Sequence, residues 1–220
     1  MKLTTALLAA ALSAATLTAG SCNIVGPLMI LASGPEKTPA QFILPKDKTA
    51  VIAIDDRGSV LPQRNLRDMI GKTGEEEILA KQLVKDMVAS RLVTAIMAHE
   101  RTGDPMPIAD LGKAVNADMV IFVAMEQFTL SEDGSTLSPL AVARVKIVDS
   151  KTGVRLGPPE NDPTGFFTLT VRLPPQGNVA PTTSNELSML QDLARVTGVY
   201  LSRMFWDSEK ITEPTKLEDK

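Results

Sequence analysis

Two kinds of hydrophobic spacing divide the chain. TAVIAIDD at 49–56 is short, rich in β-branched residues and closed by turn formers, which predicts a buried strand. DMVIFVAMEQFTL at 118–130 is apolar on both alternating faces as far as Met125 and reads as a central strand. LAVARVKIVD at 140–149 alternates, with Ala143, Val145 and Ile147 facing inward and Arg144 and Lys146 outward. VRLG begins a returning strand, and FFTLTVRL alternates with Phe167, Leu169, Val171 and Leu173 on one face.

Helical spacing appears elsewhere. EEEILAKQLVKDMVASRLVTAIMAH at 75–99 places Ile78, Leu79, Leu83, Met87, Leu92 and Ile96 on one stripe, with three glutamates at the positive end of the dipole. PIADLGKAVNA at 107–117 fits a shorter helix. A last helix starts at Thr183 with Glu186 three residues on, a capping box, and continues through Leu187, Leu190, Leu193, Val196, Tyr200, Met204 and Phe205. Between these elements, RGSVLPQRNLRDMIGKTG at 57–74 reads as a polar loop with one helical turn. Asp133-Gly134 and SKTG at 150–153 read as tight turns, with Asp149 opening the second and Gly153 placed for positive φ. The order predicts an α+β fold: a two-layer sandwich in which helices pack on a mixed, mainly antiparallel sheet of about four to five strands.

The amino terminus obeys different rules. Met1-Lys2 and the apolar run at 3–17 precede Ala19-Gly20-Ser21 and then Cys22, the only cysteine. Charged start, apolar segment and small-residue cleavage site make an export signal. A cysteine directly after small residues resembles the bacterial lipobox, in which the thiol is acylated and becomes the new amino terminus. The first lipobox position is usually Leu and here is Ala19. Simple cleavage nearby and an uncleaved anchor are the alternatives. For the anchor, no charge occurs between Lys2 and Glu36; against it, Gly20, Ser21, Asn23, Gly26 and Pro27 interrupt the run. Lipidation also explains a lone cysteine in an exported chain, since several acyl chains anchor a protein firmly. Asn23, where Asp would favour inner-membrane retention in enteric bacteria, leans toward the outer membrane.

The expected organisation is a signal peptide at 1–21, a lipidated Cys22 with a Pro-rich tether to 48, one domain over 49–206 and a charged tail at 207–220. Insertion loops fall near 157–165 and 174–182. With a net charge of −3 and 4% aromatic residues, the chain lacks the basic stripe and stacking rings of a nucleic-acid binder. A single cysteine excludes an internal disulfide and a zinc site built on paired cysteines.

Candidate chemistry is sparse. GKT at 71–73 matches the end of a phosphate-binding loop, but the glycine required five residues before Gly71 is Leu66. His99-Glu100 lacks the second histidine of a zinc protease. Asp55, Asp56 and Arg57 end the first strand, where α/β proteins place their chemistry, and form the candidate polar site; DDRG is also ordinary turn composition, with Arg57 ready to pair. No cofactor or metal site follows from these residues.

With these elements in place, the chain resembles a group of bacterial envelope lipoproteins. The group includes the curli-secretion lipoprotein, the lipoprotein activators of penicillin-binding proteins and the amino-terminal domain of TolB. Cys22 with its Pro-rich linker, TAVIAIDD, EEEILAKQLVKDMVASRLV, ADLGKAVNADMVIFVAMEQFTL leading into ARVKIVDSKTGVRLG, and the closing LSRMFW carry the resemblance. It covers roughly 49–156 and 184–206 and departs at 157–180, where an extra strand and two Pro-rich loops intervene; no membrane-spanning hairpin of the curli-pore kind is evident. The resemblance implies a non-enzymatic module, held to the membrane by its lipid, that docks an envelope protein partner or assembles with itself, with strand addition at an open sheet edge as one mode. A subunit of an envelope secretion or assembly complex and a hydrolase using Asp55 and Asp56 are the other functions considered.

Overall fold

The computed structural model describes residues 37–56, 64–99, 106–131, 137–175 and 183–209; the side chains at 64, 98, 99, 183 and 184 are outside that description. Cys22, Arg57, Glu100, the Asp133-Gly134 turn and the tail beyond 209 lie outside the described residues. The chain divides into two units, Met1–Thr38 and Pro39–Lys220. The fold below is that of the second.

The protein is α+β, with helices packed on a mixed sheet. Strand β1 (Thr49–Asp55) is buried along its middle five residues because both its faces are apolar. It pairs in parallel with β2 (Asp86–Val88) on one side and β3 (Met119–Thr129) on the other, with Ile52 opposite Ile121. β3 then pairs antiparallel with β4 (Leu140–Asp149), the alternating segment, whose bounds match its pattern. A bulge at Glu126 shifts that register between Met125 and Gln127. The far edge of β4 is shared: β5 (Arg155–Gly157) pairs at Ile147 and Val148, and β6 (Phe167–Arg172) pairs from Leu140 to Val145. One edge strand is thus interrupted by the 158–166 insertion.

Helix placement departs from the periodic reading. α1 spans Arg64–Ala80, so the segment read mostly as loop is a helix of 17 residues. The three glutamates sit in its second half. Leu66, Ile70, Gly74 and Ile78 are four residues apart and form its buried stripe, with both isoleucines and Leu66 at 0% exposure. The expected helix at 75–99 breaks where Gln82 adopts φ +52°. Val84 and Leu83 then turn into the core, β2 adds to the sheet, and α2 (Ser90–His99) starts anew. Leu79 and Leu92, assigned to a buried stripe, are exposed. α3 (Ile108–Ala114) and α4 (Thr183–Arg203) lie where the spacing places them.

α1 and α4 cover one face of the sheet, burying Ile52, Ile121, Val145, Leu193 and Leu201 among others. Each such side chain contributes about 1.5–3 kcal/mol. The two helices cross in backbone contact. A Cβ on Gly198 would lie 2.6 Å from the Ile70 carbonyl oxygen and 2.7 Å from Thr73 Cβ, so only glycine permits the approach. α2 and α3 lie on the opposite face, over β1 and β3, where Val93 and Leu111 meet Val51, Val120 and Phe122. On that face of β4 the start of α3 approaches Val148. Residues read as tether also belong to this unit: Leu44 is 2% exposed, and the Gln41 and Phe42 amides donate to the Met204 carbonyl.

Candidate functional site

At the carboxyl end of β1, Asp55 and Asp56 emerge half-buried from the strand. The first turn of α1 brings Arg67 over them, and its guanidinium makes an ion pair with Asp56. Arg67 is 4% exposed, and its Nε has no partner among the described residues. Removing two charges from water costs several kcal/mol, which their attraction returns only in good geometry. The pair therefore fastens the start of α1 to the end of β1. Sequence reasoning paired these acids with Arg57 and passed over Arg67, ten residues further on, because an arginine in a polar segment looks solvated. Gly71 of the GKT segment packs inside α1 against Ser90, far from a phosphate-cradling loop conformation.

Glu75, the next turn of α1, reaches the first amide of α2. Its Oε1 accepts from Ser90 N at 2.5 Å. Burial pushes its carboxyl above the ordinary value, and the Ser90 hydrogen bonds oppose that rise.

The amino-terminal feet of the strands carry a second charge cluster. Asp118 precedes β3 and accepts from Thr49 N and Thr49 Oγ1, each at 3.0 Å, while its own amide donates to Thr49 Oγ1. Lys151 Nζ lies 3.1 Å from its other oxygen. These contacts, the Thr49 amide foremost, bring its pKa down to about 2. Asp149 builds the β4–β5 turn as expected, accepting from the amides of Lys151 and Thr152, and Gly153 takes φ +74°. The Thr152 amide is the main reason its pKa is lowered as well.

The third arrangement lies on the open face of β4. Alternation puts Arg144 and Lys146 there, and the 158–166 loop folds Phe166 over them. Lys146 Nζ is 4.6 Å from the Phe166 ring centre and 5.5 Å from that of Phe122, and the Arg144 guanidinium is 5.0 Å from Phe166. Arg144 Nε pairs with Glu126, the bulged residue of β3, at 2.5 Å. Arg155 donates to the Pro159 carbonyl at 2.9 Å and secures the loop. No carboxylate among the described residues reaches Lys146 at ion-pair distance. Burial first, then the charges of Arg155 and Arg144, hold its pKa below the ordinary lysine value. Beside it opens a groove of about 520 Å³ between this loop, β4 and the start of α3. Sequence reading treated Lys146 as merely outward; Phe166, one step out of phase with Phe167, was the available signal for its neighbour on that face.

Among the described residues no group of three or more His, Cys, Asp or Glu side chains could hold a metal ion. No helix among them is long and apolar enough to cross a membrane.

No family model matches the sequence, and no curated protein matches it. Solved structures do. One is the PelC dodecamer from Paraburkholderia phytofirmans, 14% identical over 77% of this chain and 94% of that one, with a TM-score of 0.40. Another is lipoprotein GNA1162 from Neisseria meningitidis, 9% identical over 69% and 96%, with a TM-score of 0.37. A third is protein XCC0632 from Xanthomonas campestris, 11% identical over 77% and 91%, with a TM-score of 0.43.

Proposed function

We propose that the protein is a lipid-anchored component of a bacterial cell envelope, facing the periplasm, that works by binding rather than by catalysis. Cys22 carries this reading: an apolar export segment and Ala19-Gly20-Ser21 lead directly into it, and a Pro-rich stretch follows. Acylation at Cys22 would hold the domain at the membrane, with the outer membrane favoured by Asn23. The domain then docks an envelope protein or further copies of itself. The buried pairing of Asp56 with Arg67 supports binding over hydrolysis, because a carboxylate committed to a buried guanidinium is a poor general base.

The intact mass of the mature protein tests the anchor. A chain beginning at Cys22 with added acyl mass is expected, and a Cys22→Ala variant should lack that mass. An unmodified chain retaining residues 1–21 would instead describe an anchored membrane protein, and a clean cut without lipid would release the domain. Crosslinking from the tethered domain then separates self-assembly from docking of another protein. Loss of a phenotype in Asp55→Asn with the fold intact would bring back the hydrolase.

A further inference from the structure

We propose that the groove beside Lys146 binds a small anionic amphiphile, its acidic head (carboxylate or phosphate) held by Lys146 and Arg155 and its apolar body lying against Phe166, Ile108 and Pro163. The groove has the volume of a small-ligand site, about 520 Å³. Its walls combine two cations with apolar side chains, as such sites do.

The charge balance carries the inference. Arg144, Lys146 and Arg155 converge on this face from β4 and β5. Glu126 is taken by Arg144. Asp162, on the loop, accepts from Thr164 and also feels the charge of Arg155. Lys146 is left half-buried between two guanidinia, with only the faces of Phe166 and Phe122 to attract it. Ring faces offer much less than a carboxylate to a desolvated ammonium. Like charges gathered at a concave apolar surface repel until an anion arrives, so the unliganded groove is electrostatically incomplete. Ile108, Val148 and Pro163 line the groove beside the cations, and the Thr164 hydroxyl that also lines it is already bonded to Asp162, which favours an anion with an apolar body over an inorganic ion.

Calorimetric titration of the full-length chain with phenyl phosphate tests this, with benzyl alcohol as the neutral analogue. Saturable binding of phenyl phosphate, at least tenfold weaker in Lys146→Met and absent for benzyl alcohol, is expected. Methionine keeps the aliphatic stem on Phe166, and thermal melting of the variant checks the fold. A second readout needs no variant: saturation with phenyl phosphate should slow trace acetylation of Lys146, mapped by mass spectrometry, at least fivefold relative to Lys72. Absent binding, undiminished affinity in Lys146→Met, equal binding of benzyl alcohol or unchanged acetylation would each overturn the site. Once binding is seen, flotation with phosphatidylglycerol vesicles distinguishes the sources. Competition by phenyl phosphate places a lipid head group in the groove; its absence assigns the groove to a free acid.

Discussion

The foot of the β3–β4 ladder and the open face of its middle handle charge in opposite ways. At the strand feet, Asp118 faces Thr49 and Lys151, and Asp149 faces two amides; every acid has been given donors. On the open face of β4, Glu126 answers Arg144 and Asp162 feels Arg155, and Lys146 is left with aromatic rings. Both clusters arise from the same few residues of chain, since 144–152 contributes to each. A fully matched cluster lowers the energy of the folded state. A mismatched one raises it slightly and persists where something outside the chain completes it. The difference separates the part of the sheet that holds the fold from the part available for recognition.

The strongest way to break this contrast is Asp118→Ala. It strands the Thr49 amide and hydroxyl and frees Lys151, so a loss of about 2–3 kcal/mol is expected in urea unfolding; a loss below about 0.5 kcal/mol would show that the lock is dispensable. Gly112→Ala attacks the same end from α3. The new Cβ would lie 2.7 Å from Val120 Cγ2 and 2.8 Å from Ser150 Cβ, and a cost of about 2 kcal/mol is expected from overpacking. Lys146→Met, by contrast, should leave thermal stability within about 0.5 kcal/mol of the parent or raise it, since it removes a desolvated like charge. A marked fall would mean that Lys146 is a packing residue.

Acid and alkali sharpen the comparison. Asp118, ordinarily near 3.8, is brought down to about 2 by the Thr49 amide and Lys151, so the folded state binds fewer protons between those values. Its contribution is whole above about 4 and is lost as pH falls through about 2. Lys146 has a lowered pKa, so the unfolded chain binds more protons between that value and 10.5, and stability rises with pH across that window. Glu75 differs from both. Its pKa is raised above 4.5, and stability falls as pH rises through the interval between the unfolded and folded values. Glu75→Gln keeps an acceptor for Ser90 N and should flatten that slope by a few tenths of a kcal/mol, measured as unfolding midpoints from pH 4 to 7. An unchanged slope would remove Glu75 as its source.

Much of the sheet was legible from pattern because β4 and β6 alternate one residue in two, and β1 and β3 carry short apolar runs rich in β-branched residues and closed by turn formers or polar residues. The helices were less so. Ile78, Leu83 and Met87 satisfy helical spacing across a break, because β2 and the turn at Gln82 bury their apolar residues against the same core as α1. Conversely α1 hid in a segment containing Gly71 and Gly74, where glycine lines the buried stripe through close contact with Ser90 and α4 and contributes no hydrophobic signal. Asp55 and Asp56 were visible as strand-end acids, but Arg67 was not, since its burial depends on how α1 lands. The groove was least visible of all. It needs Phe166 returned across β4 by an insertion whose path no local pattern encodes.

That insertion also decides how neighbours can meet this protein. On one side the sheet stops at β2, three residues long and opening with Asp86; on the other, β4 is already paired, by two short strands with a loop between them. Among the described residues neither border strand exceeds the six residues of β6, which limits the row of amide and carbonyl groups on which another chain could extend the sheet. Such blunt borders favour reversible encounters through side chains over irreversible zippering of backbones.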